Sequence, residues 1–424
     1  MRARHHAAAA AATIALVAAA TMVTASDAER LHFLAVSEDG TVLASQHASV
    51  PVNPASVVKV GTSLWALDRL GAKHRWETAF AWTGDWDRSA GVLRGDLVVV
   101  GSGDPDLQWE NAFLVARELN RLGLRRVDGR LRVEGVLWFG WEQGVEKRLV
   151  DPLARGRRMG ARLVASLDSE RWTRSHVNTW EALCERRGWD PVPRPSVRIT
   201  GGVEVGAGGE ATPLLIHRSN PLPIMLRRFN VYSNNDIVRI ADNLGTVAGL
   251  EAFLRDRLAA SPGEIELTTA SGERRNRMTV RHMVDLLAAL RDEAVEHRLE
   301  LADLLPVIGC DPGSTRRMFP ALAAPPLAGS VVCKTGTLTT TDDGVAVLVG
   351  AFTGADGGRI IFAVAAPAAG KRLQSWRQVE QRWLLSLMDA RGGAVPAPCP
   401  GELPFSDAQA EIVPLVANGS PAVE

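Results

Sequence analysis

Two of the five lysines in this chain stand at spacings that suit nucleophilic chemistry. The chain carries 48 basic side chains, and all but five of them are arginine. Lys59 follows Ser56 by three residues, and Lys334 opens the run Lys334-Thr335-Gly336-Thr337. Arginine stays protonated at any relevant pH, whereas a buried lysine can lose its proton and act as a base. The composition therefore indicates that lysine is kept where chemistry needs it.

Ser56 and Lys59 together supply a hydroxyl nucleophile and a base for its proton. The apolar periodicity of 56–70 predicts a helix that ends at Gly71, with Ser56 in its first turn. Lys59 then lies on the same face, within reach of the hydroxyl. Burial of its ammonium, and a nearby Lys334 cation, would lower its pKa enough for it to act as the base.

The other two motifs supply the remaining parts of an acyl-transfer site. Ser233-Asn234-Asn235 is a Ser-x-Asn match: Ser233 is suited to relaying a proton, and the Asn235 amide to holding both Lys59 and a substrate carbonyl. Lys334, Thr335 and Thr337 begin a predicted strand and can bind a terminal carboxylate, while Gly336 allows a bound peptide to approach the backbone. The oxyanion donors are predicted to be the amide of Ser56 and one from the strand just after Thr337. Each motif alone is weak, but all three in this order are specific.

A second frame is open at the middle motif. Tyr232, the only tyrosine of the chain, makes Tyr232-Ser233-Asn234 a Tyr-x-Asn match. Class C β-lactamases and related esterases use Tyr-x-Asn at this position, with the tyrosine as base. Asn235 also has a second interpretation, as the cap of the helix that follows it.

Composition limits the class of protein. Arg2 and Arg4 precede an apolar run that ends near Val23, so residues 1–25 are expected to be a signal peptide rather than a membrane anchor, and the mature protein to be exported. Acidic and basic residues number 48 each, which gives no field to attract nucleic acid or an anionic membrane. The four cysteines are irregularly spaced, so at most one disulfide and no metal site or cofactor are expected.

The predicted elements indicate an interrupted domain. Short strands alternate with turns over 79–213, which we interpret as an inserted, strand-rich domain. The flanking segments, 26–78 and 214–391, carry the helices and predict one α/β (α+β) domain. It includes an antiparallel meander at Val331–Cys333, Gly344–Phe352 and Arg359–Ala366. The Pro-, Gly- and Ala-rich stretch 392–424 is expected to be a flexible tail without an amphipathic membrane anchor.

Beyond the motifs, the sequence resembles the low-molecular-mass class C penicillin-binding proteins, the exported D-alanyl-D-alanine carboxypeptidase/endopeptidases. The segments that carry the likeness are 53–59 with Leu70-Gly71, 93–107, 219–222, 230–235 with Leu244-Gly245, Ser271-Gly272, 276–279 and 305–309. The resemblance implies a transpeptidase/β-lactamase-like domain with a five-stranded antiparallel sheet between helix layers. It also aligns Ser233, not Tyr232, with the relay serine.

The sequence departs from that family at points that concern the substrate. The usual Asp-Gly-Ser-Gly-Leu-Ser reads Thr-Ala-Ser271-Gly272-Glu273-Arg274, and the residue after Ser233 is Asn where Asp is usual. Family members bind the amine of the stem peptide's diamino acid through an acidic residue of the insert. Asp151 is the candidate here.

The resemblance implies a serine-type D-alanyl-D-alanine carboxypeptidase that acts on peptidoglycan stem peptides through a Ser56 acyl-enzyme, in the periplasm or cell-wall space. β-Lactams would be covalent inhibitors. One alternative is a β-lactamase or esterase of the same fold that uses Tyr232. The other is a cell-wall binding protein that kept the fold without catalysis.

Overall fold

A computed structural model describes residues 28–142, 144 and 148–416. The described chain forms two compact units, one made of the residues up to Ala72 with Leu226–Leu403, the other of Lys73–Met225 with the residues from Pro404 onward. The insert is therefore longer at both ends than the predicted 79–213. The expected signal peptide, 1–25, lies outside the described residues.

The first segment is a hairpin followed by a helix. Strands β1 (His32–Ser37) and β2 (Val42–Gln46) pair antiparallel around Gly40, whose φ of 82° suits a turn that only glycine enters without strain. A 3₁₀ turn, Ala55–Val57, leads directly into helix α1 (Val58–Leu70). Gly71 ends this helix at φ 75°, as predicted.

The second unit is a mixed α/β structure. Its strands up to residue 218 are β3 (Glu77–Trp82), β4 (Asp85–Asp87), β5 (Val92–Arg94), β6 (Leu97–Ser102), β7 (Arg126–Val127), β8 (Leu131–Val136), β9 (Arg198–Ile199), β10 (Val203–Val205) and β11 (Thr212–Arg218). Its helices in the described residues are α2 (Trp109–Arg121), α3 (Pro152–Leu167) and α4 (Arg174–Arg187). The strands predicted near 97–101, 131–138 and 196–200 are present as β6, β8 and β9.

The insert was predicted to be strand-rich, but its described residues also form the three helices α2, α3 and α4, which the sequence analysis did not predict. Helix α3 shows why: its buried side chains, among them Met159, Leu163 and Leu167, are separated by arginines and small residues. A narrow apolar stripe of this kind is easily overlooked without the tertiary partner that covers it.

The chain then completes the first unit. Helix α5 (Leu222–Val231) begins four residues before Leu226, where the first unit resumes. The helices that follow are α6 (Val238–Leu244), α7 (Val247–Arg257), α8 (Val280–Glu296), α9 (Ser314–Met318), α10 (Pro320–Ala323) and α11 (Leu373–Asp389). The strands that follow are β12 (Ile265–Glu266), β13 (Arg277–Met278), β14 (Val331–Leu338), β15 (Val345–Thr353) and β16 (Arg359–Pro367). The helical pattern predicted from Leu214 was wrong at its start, because 214–218 belong to β11; a short apolar run does not distinguish strand from buried helix.

The five-stranded sheet of the first unit has the order β14-β15-β16-β1-β2, and every neighbouring pair is antiparallel. Strand β15 is buried at every position except its last residue, because both faces of the sheet are covered. Trp376 and Trp383 of α11 pack with Phe362 on one face, while α8 lies against β16 and against α1. The predicted fold, a sheet between helix layers, is confirmed.

The predicted flexible tail is wrong for the described residues up to 416. Strand β17 (Glu411–Pro414) pairs antiparallel with β11 and completes a six-stranded sheet of order β10-β8-β6-β3-β11-β17. Cys399 forms a disulfide with Cys310, 89 residues earlier, within the first unit. This segment is rich in proline and glycine, but the pairing of β17 with β11 and the Cys310–Cys399 disulfide hold it in a defined structure. Across the part of the chain that the structure describes, no helix has the length and apolarity to cross a bilayer.

Candidate active site

The predicted nucleophile lies in a strained turn that immediately precedes helix α1. Ala55 has φ 46°, a left-handed conformation that is unfavourable for a residue with a side chain. The Asn53 Oδ1 atom holds this turn by accepting from the Ala55 amide at 3.0 Å. Ser56 is half-buried, so its hydroxyl lies between the protein interior and the surface.

Lys59 is fully buried and all of its polar contacts are to neutral acceptors. Its Nζ donates to Ser56 Oγ, Asn235 Oδ1 and the Ser271 carbonyl, each at 2.7 Å. Burial lowers the pKa of Lys59 well below its usual value; the Lys334 cation lowers it further, and the Glu273 carboxylate opposes the shift. An amine in this state can accept the proton of the hydroxyl it touches.

Lys334 connects the third motif to the second. Its Nζ donates to Ser233 Oγ at 3.0 Å and to the Thr335 carbonyl at 2.8 Å. Burial lowers the pKa of Lys334 to about 7. Ser233 itself has φ 49°, another left-handed residue, and lies in the turn that follows α5. Both predicted lysines therefore sit beside the predicted serines.

The two asparagines after Ser233 have different tasks. The Asn234 Oδ1 atom accepts from the Asp236 amide at 2.8 Å and caps the 3₁₀ turn Asn235–Ile237. The Asn235 Oδ1 atom instead accepts from Lys59. The capping role that the sequence allowed for Asn235 is therefore performed by Asn234. These contacts favour the Ser233-x-Asn235 frame. Tyr232 is 45% exposed.

Glycine is required next to Ser56 for a reason that the sequence did not reveal. A Cβ at Gly336 would lie 2.5 Å from the Pro54 carbonyl oxygen, and one at Gly272 would lie 1.8 Å from that of Ala55. The loop before β13 and the edge strand β14 therefore both press on the backbone of the Ser56 turn. This close approach alone explains why residue 336 is a glycine, without the predicted role of admitting a substrate peptide.

The direction of the β14 amides corrects the predicted oxyanion donor. The Cys333 amide donates to the Pro306 carbonyl at 2.9 Å, away from β15, and amides alternate in direction along a strand. The Thr335 and Thr337 amides therefore turn to the same outer edge. The amide just after Thr337 belongs to Leu338, which lies opposite Val345 and turns inward. Thr337 itself is the donor that can face the substrate beside the Ser56 amide. The motif also lies inside β14 rather than at its beginning.

Several residues that shape the site were not predicted. The Ser271 carbonyl accepts a hydrogen bond from Lys59. The sequence analysis named Ser271 only as part of the Ser271-Gly272 likeness to the family. Arg377 of α11 donates to the Gly336 carbonyl at 2.5 Å and pairs with Glu380 at 2.6 Å. An Arg and a Glu three residues apart on the apolar face of a helix were the signal that could have found this pair.

A third group of contacts fixes the loop after β14. Asn53 Nδ2 donates to Asp342 Oδ2 at 2.8 Å, and Arg277 Nη1 donates to the same oxygen at 2.9 Å. Asp342 has φ 53° within this loop. The same asparagine that holds the Ser56 turn therefore also holds the loop that follows β14.

Asp151, the candidate for contacting the stem-peptide amine, has a structural task in the second unit. Its carboxylate accepts from the Ala154 amide at 2.8 Å and from the Leu153 amide at 3.4 Å, and so caps helix α3. Nothing in its contacts points to a ligand.

The buried Lys334 makes a prediction about stability. Its pKa is about 7 in the folded protein against 10.5 for the ordinary side chain, so between these values the unfolded state binds more protons. The free energy of unfolding should therefore rise with pH in this window, by about 2 kcal/mol between pH 7 and pH 9 from this group. Urea unfolding at a series of pH values measures it.

The matched variant is Lys334→Met. It should lose this part of the rise, while Lys59, whose pKa is also lowered by burial, retains a contribution of the same sign. Equal slopes in the variant and the parent protein would contradict a lowered pKa for Lys334.

Comparison with known proteins identifies the family. Residues 23–147 and 196–381, well over half of the chain, match the D-Ala-D-Ala carboxypeptidase 3 (S13) family. The chain belongs to this family. Membership confirms the resemblance found in the motifs and the prediction of a peptidase.

A curated relative of this peptidase family supports the same assignment over a shorter segment. The chain is 37% identical over 115 residues to a D-alanyl-D-alanine carboxypeptidase from an Actinomadura species. That match covers 26% of this chain and only 19% of the relative.

Solved structures show the same fold over most of the chain. A predatory endopeptidase from Bdellovibrio bacteriovorus, bound to an immunity protein, has a TM-score of 0.75 at 20% identity, covering 91% of this chain and all (100%) of that one. A penicillin G-acylated form of that endopeptidase gives 0.74 at 21% identity, with coverage of 91% and 100%. Penicillin binding protein 4 from Haemophilus influenzae gives 0.61 at 20% identity, with coverage of 87% and 100%.

Proposed function

We propose that this protein is an exported serine-type D-alanyl-D-alanine carboxypeptidase/endopeptidase that acts on peptidoglycan stem peptides and is acylated by β-lactams. The observation that carries the proposal is the fully buried Lys59, whose Nζ lies 2.7 Å from Ser56 Oγ. A buried amine that is held by two further neutral acceptors is suited to be a base rather than a structural cation. Family membership and the penicillin-acylated neighbour support the same reading.

Acylation begins when the neutral Lys59 amine takes the proton of the Ser56 hydroxyl. Ser56 Oγ then bonds to the carbonyl carbon of the penultimate D-alanine, and the carbonyl electrons move to its oxygen. The Ser56 and Thr337 amides would stabilise this oxyanion, and the close approach of the strand at Gly336 to the Ser56 amide supports this role. A tetrahedral intermediate forms.

Collapse of the intermediate breaks the peptide bond and leaves an ester on Ser56. The departing D-alanine nitrogen takes up the proton that Lys59 removed from Ser56, which leaves Lys59 neutral again, and Ser233, whose hydroxyl touches Lys334, is suited to relaying it. Lys334, with the Thr335 and Thr337 hydroxyls, binds the terminal carboxylate of the substrate. Water then hydrolyses the ester and restores Ser56. Cleavage of a cross-bridge uses the same steps with a different leaving amine.

Export is part of the proposal and depends on the amino-terminal sequence alone. Arg2 and Arg4 followed by an alanine-rich apolar run are typical of a leader that is cleaved near residue 25. The substrate named here lies outside the cytoplasmic membrane, in the periplasm or cell-wall space, so the two parts of the proposal are consistent.

Mass spectrometry of the purified chain after incubation with benzylpenicillin tests the proposal. We expect one intact drug mass on the peptide that contains Ser56, because opening the β-lactam ring expels no fragment. Ser56→Ala should show no adduct, and the parent protein should release D-alanine from a stem pentapeptide. Rapid turnover of the antibiotic without an adduct would favour the β-lactamase alternative. Absence of both adduct and D-alanine would contradict the proposed function.

A further inference from the structure

A buried arginine lies against the strand that carries the carboxylate-binding motif. Arg377 of α11 is 2% exposed. Its Nη2 atom donates to the Gly336 carbonyl at 2.5 Å and to the Thr337 hydroxyl oxygen, and its Nη1 atom donates to the Val347 carbonyl at 2.9 Å. The guanidinium thus spans β14 and β15 at the position of the motif.

A buried carboxylate holds this guanidinium in place. Glu380, one turn further along α11, is fully buried and lies 2.6 Å from Arg377 Nη1. Burial raises the pKa of Glu380 to about 7, against the opposing effect of Arg377. A buried pair of this kind contributes little net stability compared with apolar residues, and its hydrogen bonds to β14 and β15 fit a task in fixing geometry.

We propose that Arg377 is a positioning residue that orients the Gly336–Thr337 peptide and the Thr337 hydroxyl for the substrate. The inference rests on the proposed function, since it assigns a task to Arg377 within that same site. Arg377 does not touch the nucleophile or the reacting bond. It acts through the two groups of β14 that it holds.

The first effect follows from the planarity of the peptide. The Gly336 carbonyl and the Thr337 amide belong to one trans peptide unit, so they point in opposite directions. Pairing with β15 turns the carbonyl inward and the Thr337 amide to the outer edge of β14, where the Ser56 turn lies, and Arg377 holds the peptide unit in that orientation. A charged donor on the carbonyl also polarises the unit and strengthens the amide as an oxyanion donor.

The second effect concerns the hydroxyl of Thr337. A hydroxyl has one proton to donate and two lone pairs to accept with. Because Arg377 can only donate, the hydroxyl accepts from it, and the hydroxyl proton is left for another partner. A half-buried Thr337 can then offer that proton to the terminal carboxylate, which only accepts. An ester oxygen also accepts, but a hydrogen bond to an ionised acceptor is stronger, so a Thr337 proton held in this direction favours a carboxylate over an ester.

Rates of acylation by benzylpenicillin and by its methyl ester test this. Arg377→Gln should slow acylation by benzylpenicillin by roughly a hundredfold, since an oxyanion donor and a carboxylate donor both lose their orientation. The same substitution should slow acylation by the methyl ester less, so that the ratio of the benzylpenicillin rate to the ester rate falls by roughly tenfold. Arg377→Lys keeps a charge without the planar fork and should fall between the two proteins.

The controls separate positioning from folding and from the proposed function itself. Arg382→Gln, on the same helix, should leave both rates and their ratio unchanged. Each variant should reach one drug per chain at long times, which shows that the folded fraction is intact; if Arg377→Gln does not fold, Arg377→Lys carries the comparison. An unchanged carboxylate-to-ester ratio in the folded variants overturns the inference. Failure of the parent protein to acylate contradicts the proposed function instead.

Discussion

Replacement of Lys59 by arginine is expected to slow acylation of Ser56 by benzylpenicillin about a thousandfold, the size of effect that a general base provides. Arginine keeps a positive charge at the same place but cannot lose its proton at any accessible pH. The three acceptors around Lys59, at 2.7 Å each, would all remain available to a cation. The loss would therefore report on the base rather than on the charge. Rapid-quench mass spectrometry of the adduct measures the rate.

Lys73→Arg is the matched control. Lys73 is an exposed lysine in the same sequence, so its replacement should leave the acylation rate within about twofold of the parent value, as for most surface substitutions. Thermal unfolding of both variants shows whether the fold is retained. A folded Lys59→Arg protein that acylates at the parent rate would mean that another group takes the Ser56 proton.

The parts of the site that the sequence predicts best are those that depend on local spacing. Ser56 and Lys59 lie one turn apart because the 3₁₀ turn Ala55–Val57 runs directly into the helix 58–70. The sequence shows this helix and its end at Gly71, although the α-helix begins at Val58 rather than at Ser56. The link between Lys334 and Ser233, which are 101 residues apart, was instead expected from the order of three motifs. Sequence spacing alone does not predict which atoms come into contact over 101 residues.

The contacts that escaped prediction are set by packing between distant elements. Arg377 reaches Gly336 because α11 covers the face of the sheet, and Gly336 must be glycine because β14 presses on Pro54. Similarly, β17 has a sequence that resembles a linker, and only its partner β11 makes it a strand. In each case the residue pattern is compatible with several roles, and the tertiary neighbour selects one.

The strain in the site has a common origin. Ala55 and Ser233 both have positive φ, and both adjoin the residues that we propose carry the chemistry. Left-handed residues of this kind persist only where surrounding contacts hold them, and Asn53 and Asn230 supply such contacts on either side. The reactive groups are therefore placed by backbone turns that the rest of the unit must stabilise.

Ser233→Ala and Tyr232→Phe form the second decisive pair of variants. Ser233→Ala should slow acylation by about a hundredfold, because the leaving nitrogen loses its proton relay. Tyr232→Phe should change the rate by less than about twofold, since this residue is 45% exposed and Asn234, the asparagine of the alternative Tyr-x-Asn frame, caps a backbone turn. Stopped-flow hydrolysis of a chromogenic cephalosporin, followed through the acylation burst, measures both.

The Ser233-x-Asn235 and Tyr232-x-Asn234 frames predict opposite results for these two variants, so either result distinguishes between the frames. A proton relay through Ser233 requires its hydroxyl beside Lys334, and that contact is 3.0 Å long. A tyrosine base would instead make Tyr232→Phe the inactive variant and leave Ser233→Ala nearly active, with sustained turnover in place of a burst. Because both changes remove only an oxygen atom, within two adjacent residues, neither result could be attributed to a difference in the size of the substitution.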